Sequence, residues 1–200
     1  TEKRALMREL EKIVPRDTIL ASNTSSLSVT AIAAGLRHPG RVAGMHFFNP
    51  VPLMRLVEIV AGLATDTATT DTLAATAVAW GKDPVHATST PGFIVNRCAR
   101  PFYGEALRLL AEGAADAATI DAVLRGAGGF RMGAFELMDL IGNDVNFAVT
   151  RGVWEACYYD PRYAPSVLQQ ERVAAGFLGR KSGRGFYDYA TDAVPPRPAT

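Results

Sequence analysis

Four polar side chains lie in apolar or glycine- and proline-containing surroundings, and their types could form one catalytic site. They are Ser25 in S-N-T-S-S, His46 in H-F-F-N-P, Glu58 in L-V-E-I-V and Asn96 in P-G-F-I-V-N-R. An imidazole beside a carboxylate can act as a base, because the carboxylate fixes the ring tautomer, leaves the other nitrogen free and stabilises the imidazolium that forms. The chemistry that these residue types indicate is proton abstraction.

The spacing of His46 and Glu58 favours contact between them. Residues 41–47 have the pattern of an apolar strand, N-P-V-P is a turn, and residues 56–60 form a second apolar strand. Because the two side chains are 12 positions apart with the turn between them, an antiparallel return would bring them together. Spacing alone leaves two alternatives open: a packed histidine satisfied by a backbone carbonyl, and an edge-strand carboxylate that faces water.

The elements that must position these residues alternate between helix and strand in the first half of the chain. Residues 2–14 predict an amphipathic helix whose apolar positions are Leu6, Leu10, Ile13 and Val14. A strand at 18–21, a helix at 27–36, a helix at about 70–80 and a strand at 84–88 complete the pattern, together with the two strands of His46 and Glu58. Such alternation predicts an α/β layer.

After T-P-G the pattern changes to helices, predicted at 93–111, 116–124, 133–140, 142–159 and 165–175. We therefore place a domain boundary at this turn, with residues 1–90 in the α/β domain and 91–200 in a helical domain. This boundary puts Asn96 in the first turn of a helix at the crevice between the domains, a favoured location for ligands.

Composition excludes several classes of partner. The 200 residues are 48% apolar and carry 21 basic and 20 acidic side chains, so no global charge recruits nucleic acid or an anionic membrane. No apolar stretch approaches the roughly 18 residues of a membrane span, and the charged amino-terminal segment does not resemble a signal peptide. Cys98 and Cys157 show no metal-ligand spacing, so we expect no metal site and the reduced thiols of a cytoplasmic protein.

Six sequence words in register resemble the L-3-hydroxyacyl-CoA dehydrogenase family: S-N-T-S-S-L, H-F-F-N-P-V-P, L-V-E-I-V, T-P-G-F-I-V-N-R, M-G-A-F-E-L and G-R-K-S-G-R-G-F-Y. The resemblance runs from Lys3 to Tyr189. It implies the distal part of a Rossmann-type NAD-binding domain with the catalytic residues, followed by a helical carboxyl-terminal domain for substrate binding and dimerisation. It also implies an acyl-CoA substrate and a homodimer.

The resemblance assigns a role to each candidate residue. His46 is similar to the general base that takes the C3 hydroxyl proton, and Glu58 to its orienting partner. Ser25 and Asn96 match the family positions that hold the substrate oxygen. Four further residues resemble cofactor contacts, namely Lys3, Asn23, Asn49 and Lys181.

The words A-W-G-K-D-P-V and S-V-L-Q-Q-E are similar to the branch of the family that acts on 3-hydroxyadipyl-CoA in phenylacetate breakdown. A 3-hydroxybutyryl-CoA or a longer acyl chain from fatty-acid β-oxidation remains open, because one sequence does not give the shape of a pocket.

The 200 residues contain no G-x-G-x-x-G turn for a pyrophosphate. The resemblance implies a preceding half-domain on the order of 100 residues, so we expect this chain to be inactive alone. Two alternatives follow: a non-catalytic dimerisation module, and an acyl hydrolase that uses Ser25, His46 and Glu58. The hydrolase is disfavoured because Ser25 lacks the G-x-S-x-G elbow and the order of the three residues differs from the usual one.

Overall fold

A mixed sheet with helices on both faces forms the first part of the chain, as the alternation of elements predicts. The computed structural model describes residues 2–25, 27–189 and 197–198, and it divides into two compact units, Thr1–Asn96 and Arg97–Thr200. The elements of the first unit are α1 Glu2–Ile13, β1 Leu20–Ser22, α2 Val29–Ala33, β2 Val42–Phe47, β3 Leu56–Ala61, α3 Thr67–Ala79 and β4 Asp83–Thr88.

The strands stand in the order β1-β2-β3-β4, with β1 parallel to β2, β2 antiparallel to β3, and β3 parallel to β4. Successive side chains of a strand point to opposite faces, so odd and even positions of β2 and β3 belong to different layers. Ala43, Met45, Val57 and Ile59 pack with residues of α3 on one face. Val42 packs with residues of α1 and α2 on the other.

Helix α1 buries a different stripe from the one predicted. Met7, Leu10 and Val14 pack in the core, at the i, i+3 and i+7 spacing of one helix face. Leu6 and Ile13 are exposed, so their assignment to the core is wrong. The four predicted apolar positions spread over two neighbouring faces of the helix. The face that also contains Met7 is the one that packs in the core.

Helix α2 is shorter than predicted because both ends are fixed by local chemistry. The Ser28 hydroxyl caps its first turn by accepting from the Ala31 amide at 3.2 Å. At the other end, the backbone of Ala34 is extended (φ −61°, ψ 126°) and that of Gly35 is left-handed (φ 83°), so the helical path ends there. The helix therefore covers Val29–Ala33 instead of residues 27–36.

The described part of the second unit is helical. Its elements are α4 Val95–Ala111, which begins at the end of the first unit, α5 Ala117–Gly126, α6 Ala134–Ile141, α7 Asn143–Ala156 and α8 Val167–Ala174, followed by the short strand β5 Tyr187–Asp188, which pairs with β6 Arg197–Pro198. The core contains Leu107, Ile120, Phe135, Met138 and Phe186. Within the described residues, no helix is long and apolar enough to cross a membrane.

Two fully buried carboxylates organise this helical unit. Asp121 accepts from the amides of Phe135 and Glu136 at 3.0 and 2.9 Å, and so caps the amino terminus of α6. Asp139 accepts from the amides of Phe186 and Tyr187 at 3.0 and 2.9 Å. Burial raises the pKa of both carboxyl groups, although these hydrogen bonds act in the opposite direction.

Asp139 also accepts from the Asn143 side-chain amide at 2.8 Å and from the Tyr189 hydroxyl at 3.1 Å. Gly185 allows the final loop to approach this carboxylate, because an added Cβ would lie 2.1 Å from Asp139 Oδ1. Residues 185–189, in the later part of the segment that follows α8, are therefore arranged around one acidic side chain.

Candidate active site

His46 and Glu58 are direct partners in the antiparallel register of β2 and β3. Opposed residues in such a pair project to the same face, which brings the imidazole and the carboxylate together. His46 Nδ1 lies 2.7 Å from Glu58 Oε2. Glu58 is fully buried on an inner strand and His46 is only 5% exposed, so the alternative of a carboxylate facing water is excluded.

The second oxygen of Glu58 is held by the start of α4. Glu58 Oε1 accepts from the amides of Ile94 and Val95, each at 2.9 Å. The first amides of a helix have no partner within the helix, and they favour an anion. Burial alone would raise the pKa of Glu58, but the hydrogen bonds from His46 and the two amides outweigh it, and the net shift is downward.

Two aromatic rings flank the His46 imidazole. The Phe48 ring centroid lies 4.6 Å away in a tilted arrangement, and the Phe93 centroid lies 5.7 Å away edge to face. Because Nδ1 is occupied by Glu58, Nε2 is the nitrogen that can exchange a proton. The dyad therefore combines a fixed ring, an ionised partner and apolar walls, which are the requirements of a general base.

Asn23 joins the ends of the two parallel strands. Its Oδ1 accepts from the Phe47 amide at 3.1 Å, and its backbone carbonyl accepts from Lys3 Nζ at 3.2 Å. Ser25 is exposed in the turn that follows β1. Asn23 and Ser25 thus lie beyond the carboxyl end of β1, and His46 lies close to the carboxyl end of β2, the side of a parallel pair where ligands bind.

Asn49 is exposed two residues after β2 and precedes Pro50 through a cis peptide bond. Asn96 follows Val95 in the first turn of α4, so its backbone is adjacent to the amides that hold Glu58. Lys181 lies in the second unit, where its Nζ is 2.7 Å from Asp144 Oδ2. The structure therefore gathers most of the candidate residues in the first unit, and Lys181 belongs to a separate body.

The other cations of the Lys181 loop are also engaged within the second unit. The Arg184 guanidinium lies 4.3 Å from the Phe177 ring centroid, and that of Arg180 lies 5.7 Å from the Tyr189 ring centroid. These contacts give the loop a structural role, whatever it binds.

Sequence reasoning missed the groups that hold the dyad in place. Lys82 Nζ donates to the carbonyls of Val51 and Met54 at 2.5 and 2.8 Å, and so fixes the turn between β2 and β3. The Ile94 and Val95 amides were also missed, since backbone donors carry no residue signature. The only available signal was the P-G pair before a helix, which places free amides at a helix start.

Comparison with known proteins identifies both units. Residues 1–90 match the 3-hydroxyacyl-CoA dehydrogenase NAD binding domain, and residues 92–189 match the 3-hydroxyacyl-CoA dehydrogenase C-terminal domain. The chain is 54% identical over 190 residues to the 3-hydroxyadipyl-CoA dehydrogenase of Escherichia coli, which covers 95% of this chain and 40% of that protein. It is 41% identical over 187 residues to a probable 3-hydroxybutyryl-CoA dehydrogenase of Deinococcus radiodurans, covering 94% of this chain and 67% of the relative.

Solved structures agree with these relatives. A 3-hydroxybutyryl-CoA dehydrogenase from E. coli superposes with a TM-score of 0.94 at 53% identity, over 96% of this chain and 41% of that one. An (S)-3-hydroxybutyryl-CoA dehydrogenase from Ralstonia eutropha gives 0.90 at 41% identity, over 95% and 67%. The chain thus spans two fifths to two thirds of the length of these proteins, and it belongs to the 3-hydroxyacyl-CoA dehydrogenase family.

Proposed function

We propose that the protein containing this chain oxidises an L-3-hydroxyacyl-CoA to the 3-ketoacyl-CoA with NAD. The observation that carries the proposal is the buried hydrogen bond between His46 Nδ1 and Glu58 Oε2, in a domain that matches the family's NAD-binding model. Oxidation of a secondary alcohol requires a base for the hydroxyl proton, and the free Nε2 of His46 supplies one.

His46 takes the C3 hydroxyl proton at Nε2, and the charge of the resulting imidazolium is balanced by Glu58. The Glu58 anion is prepared for this role, because its other oxygen is bound by the Ile94 and Val95 amides before any substrate arrives. In the reverse direction the imidazolium donates the proton. Ser25 and Asn96 hold the substrate oxygen, and both lie in the same unit as the dyad.

The groups beyond β1 and β2 fit the nicotinamide end of NAD, which supplies the hydride acceptor when it is bound. Asn23, Ser25 and Asn49 are exposed and carry amide or hydroxyl groups suited to a carboxamide and a ribose. Lys3, through its bond to the Asn23 carbonyl, positions this edge of the site. Lys181 contributes to cofactor binding only if it leaves Asp144.

The names of the relatives support a short-chain or dicarboxylic substrate. Those above act, by name, on 3-hydroxyadipyl-CoA and 3-hydroxybutyryl-CoA. We propose 3-hydroxyadipyl-CoA as the first substrate to test, which places the reaction in phenylacetate-type catabolism, with 3-hydroxybutyryl-CoA and fatty-acid β-oxidation as the alternative. We further propose that residues 1–90 form the catalytic part of the NAD-binding domain and that residues 91–200 form a domain for substrate binding and dimerisation.

The proposal is tested in the whole protein that contains this chain by following NADH formation with 3-hydroxyadipyl-CoA and 3-hydroxybutyryl-CoA. We expect NADH with at least one of them, and no free CoA thiol. Release of thiol without NADH would instead indicate an acyl hydrolase that uses Ser25. Absence of both products in a folded dimer would favour the non-catalytic module.

A further inference from the structure

The turn that precedes α4 has an unusual backbone. Gly92 and Phe93 both have positive φ, at 74° and 46°. Gly92 is suited to this conformation, and with Pro91 before it the turn has the residues of a type II turn, closed by the Phe93 amide on the Thr90 carbonyl at 3.0 Å. Phe93 is not suited to it, since positive φ is a strained outlier for a bulky residue.

The strained residue lies between the turn and two functional amides. Directly after Phe93, the amides of Ile94 and Val95 converge on one oxygen of Glu58 at 2.9 Å each. The Phe93 side chain is buried against Val29 and Val60, and its ring is in an edge-to-face arrangement with the His46 ring. Packing of the ring thus stabilises the positive φ of Phe93, which is unfavourable for a phenylalanine backbone by itself.

We propose that Phe93 is a positioning residue, which acts through the Ile94 and Val95 amides to aim the Glu58 carboxylate at His46. The catalytic pair is then a three-part assembly of imidazole, carboxylate and helix amino terminus. Because Asn96 follows in the same helical turn, the same contact sets its backbone position relative to His46. The expected effect on catalysis rests on the proposed function. The expected effect of the Ile94 and Val95 amides on the pKa of Glu58 does not.

The first experiment needs no substitution and no substrate. The carboxyl carbon of Glu58 and the amide signals of Ile94 and Val95 are followed by NMR over a pH series on the full chain. We expect both amides to shift with the same midpoint as the Glu58 carboxyl carbon, because they donate to it. Amides that are insensitive to this titration would overturn the proposal, whether or not the protein is a dehydrogenase.

A pair of substitutions at Val95 then removes the donor alone. Val95→Pro deletes one amide at the first helical position, where proline is tolerated, and Val95→Ala changes the side chain but keeps the amide. Relative to Val95→Ala, we expect Val95→Pro to raise the pKa of Glu58 and to lower kcat by about tenfold, with a smaller change in KM. Equal titration of Glu58 in the two variants would contradict the proposal.

A second pair separates the backbone of Phe93 from its ring. Phe93→Gly and Phe93→Val both remove the ring from beside His46, but only glycine readily adopts positive φ. We expect the pKa of Glu58 to rise more in Phe93→Val than in Phe93→Gly. The same pKa in both would show that the turn conformation plays no part. If a variant does not fold, the wild-type amide titration decides.

Discussion

The imidazole of His46 and the carboxylate of Glu58 lie directly opposite each other on neighbouring antiparallel strands, with 2.7 Å between Nδ1 and Oε2. The ladder of backbone hydrogen bonds fixes their relative position, so the pair does not depend on a mobile loop.

If His46 is the base, His46→Gln should lower kcat in the whole protein by roughly 10²–10⁴. His86→Gln, an exposed histidine on edge strand β4, is the matched control, and steady-state kinetics of NADH formation compares them. Near-normal turnover of His46→Gln would refute the assignment.

Glu58→Gln tests the charge of the partner at nearly constant shape. The side chain can still contact His46, but it no longer balances an imidazolium, so kcat should fall far more than KM rises. Glu9→Gln, at an exposed glutamate of α1, is the control for loss of one negative charge. An effect confined to KM would mean that Glu58 only shapes the pocket.

The lowered pKa of Glu58 predicts how stability depends on pH. A carboxyl group whose pKa is lower in the folded state contributes stability above its unfolded value of 4.5, and this contribution disappears as pH falls through the folded value. The difference in unfolding free energy between wild type and Glu58→Gln should therefore shrink at acid pH. Urea titrations at a series of pH values measure it, and a constant difference would contradict the stated direction.

Asp121 and Asp139 should behave in the opposite way. Their pKa values are raised above 3.8, so the native state binds more protons than the unfolded state between 3.8 and the folded values. Their contribution to stability falls as pH rises through that window. Wild type and Glu58→Gln both contain Asp121 and Asp139. The contribution of these two residues therefore cancels in the difference in unfolding free energy between the two proteins.

Gly185 should be intolerant of a side chain. The Cβ of Gly185→Ala would collide with the Asp139 carboxylate, and we expect destabilisation of about 1–3 kcal/mol. Gly152 in α7 is the matched control, since a Cβ there meets no atom of the described residues within 4 Å. Gly152→Ala should stabilise by about 0.5–1 kcal/mol. Urea denaturation compares the two, and equal stability would show that the loop can move away.

The helical unit should form a homodimer. Leu140, Ile141 and Val145 are 50%, 41% and 46% exposed at the junction of α6 and α7, whereas Phe135 and Met138 of α6 are buried within the unit. Such a patch is typical of an interface between copies. Light scattering at micromolar concentration should give a dimer.

Val145→Glu should weaken that dimer, because a charge on the patch loses its hydration when the interface closes. Leu63→Glu, at a 94% exposed position of the first unit, is the control and should leave it intact. A wild-type monomer, or a dimer indifferent to Val145→Glu, would count against the proposed surface.

Much of the site could be predicted because its signals are local. A turn of N-P-V-P between two apolar strands implies a hairpin, and a hairpin with 12 positions between His46 and Glu58 brings them together. The change from alternating elements to helices likewise predicted the two kinds of fold. These features depend on residue type and spacing, which a sequence displays.

The missed features depend on backbone groups and on competition between packing faces. The amides of Ile94 and Val95 belong to whatever residues occupy those positions, so they leave no trace in the sequence. Nothing in the sequence distinguishes Lys82 from the other lysines, yet its ammonium donates to two carbonyls of the turn after His46. The buried face of α1 could not be predicted, because it depends on which residues of the fold pack against Met7.

Asp139 has a consequence for the order in which the second unit comes apart. Its carboxylate receives donors from the start of α7 and from residues 186–189, nearly fifty positions further along the chain. If residues 186–189 detached, the buried Asp139 carboxylate would lose three of its hydrogen-bond donors, so the separate unfolding of these residues is unfavourable. Amide hydrogens at Phe186 and Tyr187 should therefore exchange with solvent only when α6 itself opens. These two residues and α6 then form one cooperative unit of unfolding, although they are far apart in the sequence.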